Sequence, residues 1–316
     1  MDKKDLRIVF LGTPDFAVES LDGLVQNGFN IVGVVTATDK PAGRGHKMLQ
    51  SAVKEYAVAH GLNVLQPERL KDQSFVDELR ALNADLFIVI AFRMLPEVVW
   101  QMPRLGTFNL HASLLPKYRG AAPINWAVIN GDTRTGVTTF FLKHEIDTGD
   151  IIDRVAVDIN PDDNVGDVHD RLMHLGAQLT LDTVNRILDG TVTTTPQSEL
   201  IGDEQPTPAP KIFRETCEIH TDRTAIEIHN LVRGLSPYPA AWTTLTLVDG
   251  QPLVCKVFKT ATTGKATPEA KRSKIFAESG RLYIGAADEL LEILELQPAG
   301  KRRMPASDFL RGTHLN

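Results

Sequence analysis

Four short apolar runs, bounded by turns and separated by helical patterns, limit what this chain can fold into more than any other feature. Residues 7–12 (Arg-Ile-Val-Phe-Leu-Gly) and 31–36 read as strands flanking a helical stretch over 16–26, which Gly28 closes. Residues 85–91 (Asp-Leu-Phe-Ile-Val-Ile-Ala) form the most apolar run, and 106–110 follow as the next strand. Strands without polar alternation need cover on both faces, and strand–helix–strand order makes them parallel. The expected first domain, residues 1–190, is therefore α/β, a doubly wound, mostly parallel, Rossmann-like sheet. Helices are expected over 50–60, 74–82, 124–129 and 165–188. A short strand is expected at 64–65, and 136–142 should pair with 151–157.

A chain of 316 residues exceeds most single cores, so a second domain is expected. Residues 191–211 are Pro-rich and unpatterned and read as a linker. Residues 212–316 open with a helix over 225–232 that Gly234 and Pro237 end. Short strands follow at 242–248, 253–260, 274–277, 281–284 and 291–296, which suggests a smaller β-barrel with an OB-like barrel as one candidate.

The net charge of −6 argues against a protein that coats nucleic acid by electrostatics alone. Charge is nevertheless uneven: residues 212–316 hold 14 basic and 12 acidic side chains (+2), and residues 1–211 hold 20 and 28 (−8). A mildly basic second domain permits a polyanionic partner. No apolar stretch approaches the roughly 20 residues that span a bilayer, so no membrane role is expected. Cys217 and Cys255 lack metal-ligand spacing and suit a reducing cytoplasm, as does a start without an apolar leader segment. The first turn, Leu11-Gly12-Thr13-Pro14-Asp15-Phe16, lacks the later glycines of a dinucleotide fingerprint. No G-x-x-x-x-G-K-S/T occurs, which sets NAD and ATP aside.

Chemistry concentrates in the run from Phe108 to Gly120. Asn109 and His111 are two apart, so in a strand they point the same way. Together at a strand's carboxyl end, where open α/β sheets bind ligands, a carboxamide and an imidazole can bind and polarise a carbonyl. His144-Glu145-Ile146-Asp147-Thr148-Gly149-Asp150 supplies carboxylates for such a pair, with His144 and Glu145 expected at the surface. His111, Asp147 and His144 contain zinc-ligand types, but the donors must stay free for the substrate oxygen, so no metal is expected. Residues 37–48 carry two glycines, a proline and Lys40, Arg44, His46 and Lys47, which disfavours regular structure. That composition suits a phosphate backbone and equally a solvated surface loop.

The run Asn109-Leu110-His111-Ala112-Ser113-Leu114-Leu115-Pro116-Lys117-Tyr118-Arg119-Gly120 resembles the folate-dependent formyltransferase signature N-x-H-x-S-L-L-P-x-aromatic-x-G. Ile146-Asp147-Thr148-Gly149-Asp150-Ile151 is similar to that family's second element. The resemblance implies an Asn109, His111 and Asp147 catalytic triad. It also implies 10-formyltetrahydrofolate as formyl donor, and a folate cradle of Ser113, Leu114, Leu115 and Pro116. The reaction it implies is an aminolysis, with Asn109 and His111 as donors to the developing oxyanion. Asp147 either orients and charge-stabilises His111 or accepts the amine's proton.

Within the family, the chain is most similar to the branch whose acceptor is initiator methionyl-tRNA. The similarity rests on Phe10-Leu11-Gly12-Thr13-Pro14-Asp15-Phe16-Ala17, on Pro41-Ala42-Gly43-Arg44-Gly45, on residues 236–242 and on residues 296–304. It implies phosphate contacts from Arg44, Lys47, Lys301, Arg302 and Arg303, a tRNA-binding role for 212–316, and a monomer. Ala91 to Pro96 departs from the family, which often carries a Tyr-Gly pair there. The competing readings are a formyltransferase for sugar-nucleotide amines or for glycinamide ribonucleotide, and a folate- or RNA-binding module without catalysis.

Overall fold

The structure, a computed structural model, describes residues 2–42, 47–201 and 206–315. In chain order the first elements are β1 (Arg7–Gly12), α1 (Asp15–Gln26), β2 (Asn30–Val35), β3 (Lys40–Ala42), β4 (Lys47–Leu49), α2 (Ala52–Ala59), β5 (Val64–Leu65) and α3 (Gln73–Ala81). Next come β6 (Leu86–Ile90), α4 (Glu97–Trp100), β7 (Thr107–His111), β8 (Arg119–Gly120), α5 (Pro123–Ile129), β9 (Arg134–Phe141), β10 (Ile151–Asp158) and α6 (Val165–Leu188). The chain ends with β11 (Pro208–Ala209), α7 (Ala225–Leu235), β12 (Ala241–Thr246), β13 (Pro252–Ala266), β14 (Ile275–Glu278), β15 (Arg281–Gly285), β16 (Glu289–Pro298), β17 (Met304–Pro305) and α8 (Ala306–Arg311).

Two compact units result, and neither is contiguous: 1–120 with 136–157 and 169–208, and 121–135 with 158–168 and 209–316. The first holds a seven-stranded sheet in the order β10-β9-β7-β6-β1-β2-β5. β1 is parallel to β2 and β6, β5 to β2, and β7 to β6, while β9 runs antiparallel to β7. Alternation along the strands sends Val9, Leu11, Phe87 and Val89 into a core with Phe75, Val76 and Leu79 of α3 and Val99 of α4. On the other face α6 meets the sheet, with Gly176 against the side chain of Leu110 and Thr183 bonded to Thr139 at 2.9 Å. α1 lies beside α6 through an edge-on contact of Phe16 with His169 and a hydrogen bond between Glu19 and His174. Both faces are covered, as the apolar strands require. The order reverses at β1, which places the ligand crevice at the carboxyl ends of β1, β6 and β7.

In the second unit α7 is fixed by a capping box: Thr224 accepts from the Glu227 N–H, and Glu227 accepts from the Thr224 N–H at 2.9 Å. Its apolar side, Ile228, Val232 and Leu235, joins a core with Leu245, Val257, Leu282, Ile293 and Phe309. The sheet runs β12-β13-β16-β15-β14, with β17 on β16. It is a curled half-barrel, since among the described residues its edges β12 and β14 do not pair. β13 spans fifteen residues and shifts register against β16 three times, and each shift bends the sheet.

Two expectations change. Residues 37–48 are not wholly irregular, because β3 and β4 pair as an antiparallel ribbon, with Pro41 opposite Met48. Pro41 is tolerated because a two-stranded ribbon consists only of edges. The segment 191–211 is likewise ordered in part. Thr195 bridges to Ile151, residues 197–199 form a 3₁₀ turn, and Thr207 accepts a 2.6 Å bond from the Tyr118 N–H.

Candidate active site

β7 lies between β6 and β9, with Asn109 opposite Val89 and Phe140, and His111 opposite Thr138. The two-residue period puts Asn109 and His111 on one face, as the sequence implies. Among the described residues the Asn109 carboxamide has no hydrogen-bond partner, although it is only partly exposed. Two N–H donors therefore stand uncommitted at the end of the sheet.

His111 is buried, at 7% exposure, and its Nε2 lies 2.8 Å from the Tyr118 carbonyl oxygen. A carbonyl only accepts, so Nε2 carries the proton and Nδ1 is the variable nitrogen. Nδ1 faces Asp147 Oδ2 at 3.9 Å. That separation is beyond hydrogen-bond range. The Tyr118 carbonyl thus bonds one ring nitrogen of His111, and Asp147 faces the other without a hydrogen bond. Tyr118 holds that carbonyl in place from the left-handed region, at φ 62°.

Asp147 is also left-handed, at φ 55°, a region that Asp and Asn tolerate better than most residues. Its Oδ2 accepts a 2.9 Å bond from the Gly120 N–H. Gly149 closes the same turn so tightly that a Cβ there would stand 1.6 Å from the Phe141 carbonyl oxygen. His144 and Glu145 are exposed, and among the described residues no cluster of His, Cys, Asp or Glu could hold a metal ion.

Residues 113–116 form a brace. The Ser113 hydroxyl donates to the Lys117 carbonyl at 2.6 Å, and Thr138 Oγ1 donates to the Ser113 carbonyl at 2.6 Å. The Leu115 N–H donates to Thr138 Oγ1 at 3.1 Å, and Arg154 donates to the Leu115 carbonyl at 2.8 Å. The Leu114 carbonyl accepts from Lys117, and its side chain lies against Gly136. Most of the backbone groups expected to cradle folate are therefore engaged within the chain, and the brace holds the strand end that carries His111. The partly exposed Leu114 and Pro116 remain as apolar surface.

The basic residues divide. Arg44 and the side chain of Lys47 lie outside the described residues. Lys301 and Arg302 are exposed, with no side-chain partner among the described residues. Arg303 is different: it donates to both Glu295 oxygens, at 2.7 and 2.6 Å, and lies over the Phe258 ring at 4.3 Å. Its guanidinium is thus engaged within the chain, by Glu295 and the Phe258 ring, whereas the cationic ends of its two neighbours are not.

Sequence reasoning missed Gln197. This residue, from the stretch read as linker, bonds Arg119 and the carbonyls of Asp147 and Gly149. No local pattern marks it; its only signal is a polar side chain in an otherwise unpatterned stretch.

The formyl transferase model matches residues 6–184, and the model of the formyl transferase C-terminal domain matches 211–314. The methionyl-tRNA formyltransferase of Bacteroides fragilis is 56% identical over 315 residues, spanning 100% of this chain and 97% of the relative. That of Phocaeicola vulgatus is 59% identical over 315 residues, with 99% and 97% covered. Among solved structures the fold is similar to WlaRD, a sugar 3N-formyl transferase studied with dTDP and 5-N-formyl-THF. The TM-score is 0.67 at 19% identity, over 94% of this chain and 99% of that one. HypX from Aquifex aeolicus, in complex with tetrahydrofolic acid, gives 0.64 at 16% identity over 98% of this chain and 48% of that one.

Proposed function

The chain belongs to the formyl transferase family, and from its site and its full-length relatives we infer that it moves a formyl group from a formyl-folate to the α-amine of methionyl-tRNA. The observation that carries the chemistry is the free Asn109 carboxamide beside a buried, tautomer-fixed His111. We take the donor to be 10-formyltetrahydrofolate and the acceptor to be the initiator form of the tRNA. The folate brings an activated formyl group, and the chain's residues supply the rest.

The Asn109 N–H groups are preorganised for the oxygen that gains charge as the amine attacks, which is where a donor lowers a barrier most. Unprotonated His111 Nδ1 accepts the amine's proton, Asp147 across the 3.9 Å gap stabilises the resulting imidazolium, and that proton passes to folate N10 as the formyl C–N10 bond breaks. No covalent enzyme intermediate is required. Leu114 and Pro116 offer an apolar edge to the folate.

Arg44, Lys47, Lys301 and Arg302 are proposed as contacts to the tRNA backbone, and residues 212–316 as the part of the chain that bears on the tRNA. The free cationic ends of Lys301 and Arg302 support that reading. No helix among the described residues is long and apolar enough to cross a membrane. The two buried free thiols fit a reducing cytoplasm. Exposed large apolar side chains such as Met94, Ile146, Phe213 and Val248 lie in four different loops, which favours a monomer.

The test offers labelled formyl-folate with methionyl-tRNA and, separately, with an amino-sugar nucleotide, alongside His111→Ala. Label on the tRNA that the substitution abolishes is the expected result. Label on the sugar would overturn the acceptor, and label on neither would overturn the reaction.

A further inference from the structure

We propose that Gln197, clamped by Arg119, is a positioning residue that sets the Asp147 carboxylate against His111. The proposal rests on the reading of Asp147 and His111 as partners in formyl transfer. Gln197 is 3% exposed, and its carboxamide is fully used. Its Oε1 accepts from Arg119 Nε at 3.1 Å and Nη2 at 2.7 Å. Its Nε2 donates to the Asp147 carbonyl at 2.8 Å and the Gly149 carbonyl at 2.9 Å. A primary amide has two donor hydrogens and two acceptor sites, and all four are engaged.

The orientation of this amide is forced. A guanidinium only donates, so the amide oxygen must face Arg119 and the NH₂ must face the two carbonyls. Arg119 therefore decides which way Gln197 points, and Gln197 closes the 147–149 turn. Arg119 and Gly120 are consecutive, and together they grip the turn from two directions. The Gly120 N–H takes the Asp147 carboxylate, and the Arg119 side chain takes the turn's carbonyls through Gln197. Asp147 at φ 55° is a conformation that persists only when its surroundings over-determine it. Without Gln197 two carbonyls lose their donor, the turn relaxes, and the carboxylate leaves the His111 ring.

The test is a double-mutant cycle of Gln197→Met with Asp147→Asn. Methionine keeps the length and bulk but cannot replace the four hydrogen bonds, and asparagine suits the left-handed position. Folding is checked by circular dichroism, and kcat, both KM values and the pH–rate profile are measured. The expected result is a kcat loss of roughly 10- to 100-fold for Gln197→Met, the scale of an ångström-sized misplacement, with both KM values little changed. The pH–rate profile of Gln197→Met changes in the same way as that of Asp147→Asn, because both lose the carboxylate that faces the His111 ring. On the Asp147→Asn background Gln197→Met adds little.

A folded Gln197→Met variant at wild-type kcat, or an equal further loss on the Asp147→Asn background, overturns the proposal while Asp147 stands. Asp147→Asn at the wild-type rate overturns the underlying reading and this proposal with it. If Gln197→Met does not fold, the partly exposed Arg119→Lys, which loses the forked pair of donors, runs through the same cycle with the same outcomes.

Discussion

A single free amide separates this site from an ordinary polar strand end. Asn109 has no partner among the described residues to strand, so its removal costs the fold little and the reaction much. Asn109→Ala should lower kcat about 10²–10³-fold, roughly 2.7–4 kcal/mol, in single-turnover formyl transfer. An unchanged kcat with weakened folate binding would instead make Asn109 a binding residue. Gly149 makes the opposite case, a residue whose value is the absence of a side chain. A methyl group there meets the Phe141 carbonyl at 1.6 Å and must push the backbone aside. Gly149→Ala should cost about 1–3 kcal/mol by urea unfolding, and formyl transfer should fall with it as Asp147 is displaced. An active, equally stable variant would mean that the turn tolerates movement.

Elements follow local sequence closely where burial or capping dictates them. The strands of the first sheet lie within a residue or two of where their apolar runs put them, since a continuous apolar run has little choice but the centre of a covered sheet. Thr224 and Glu227 start α7 by the same kind of local rule. Locality fails for β13, twice as long as expected, and for the ribbon of β3 and β4, because pairing partners decide strand length. Partners also decide the fate of the basic cluster on the turn between β16 and β17. Arg302→Ala should lower the slope of tRNA affinity against salt by about one and leave stability unchanged. Arg303→Ala should leave that slope alone and cost about 1 kcal/mol, since it loses an exposed forked ion pair and a ring contact. Titrating both variants at several salt concentrations checks the assignment, and a reversed pattern would restore Arg303 to the interface.

For the whole molecule, stability should peak between mildly acidic and mildly alkaline pH. Burial, and then Arg233 nearby, hold the His229 pKa below its ordinary 6.5. The unfolded chain thus takes up that proton first, and this contribution is complete above pH 6.5 and lost as pH falls through the lowered value. Asp39 is lowered by hydrogen bonds from Lys54 and then Gln66, and its contribution is lost further into acid. On the alkaline side burial pushes the Cys255 thiol from 9.0 up to about 11. Its contribution is complete below pH 9.0 and lost as pH rises to about 11, because only the unfolded thiol ionises in that window. Thermal midpoints measured across pH should therefore decline less steeply above 9.0 in Cys255→Ala than in the parent chain. Parallel declines would remove Cys255 from the account.

The strand and helix alternation, the placing of Asn109 and His111 on one face, and the family signature are legible before any folding is known. All three are written in neighbouring residues, through periodicity and spacing. That Tyr118 bonds the His111 ring, that Arg303 is already paired, and that Gln197 bonds the Asp147 turn emerges only in three dimensions. Gln197 lies 78 residues from Arg119 and 50 from Asp147. A hydrogen bond acts over about 3 Å and leaves no periodic trace in the chain. Such partners become legible only once the sheet has closed and brought them within reach.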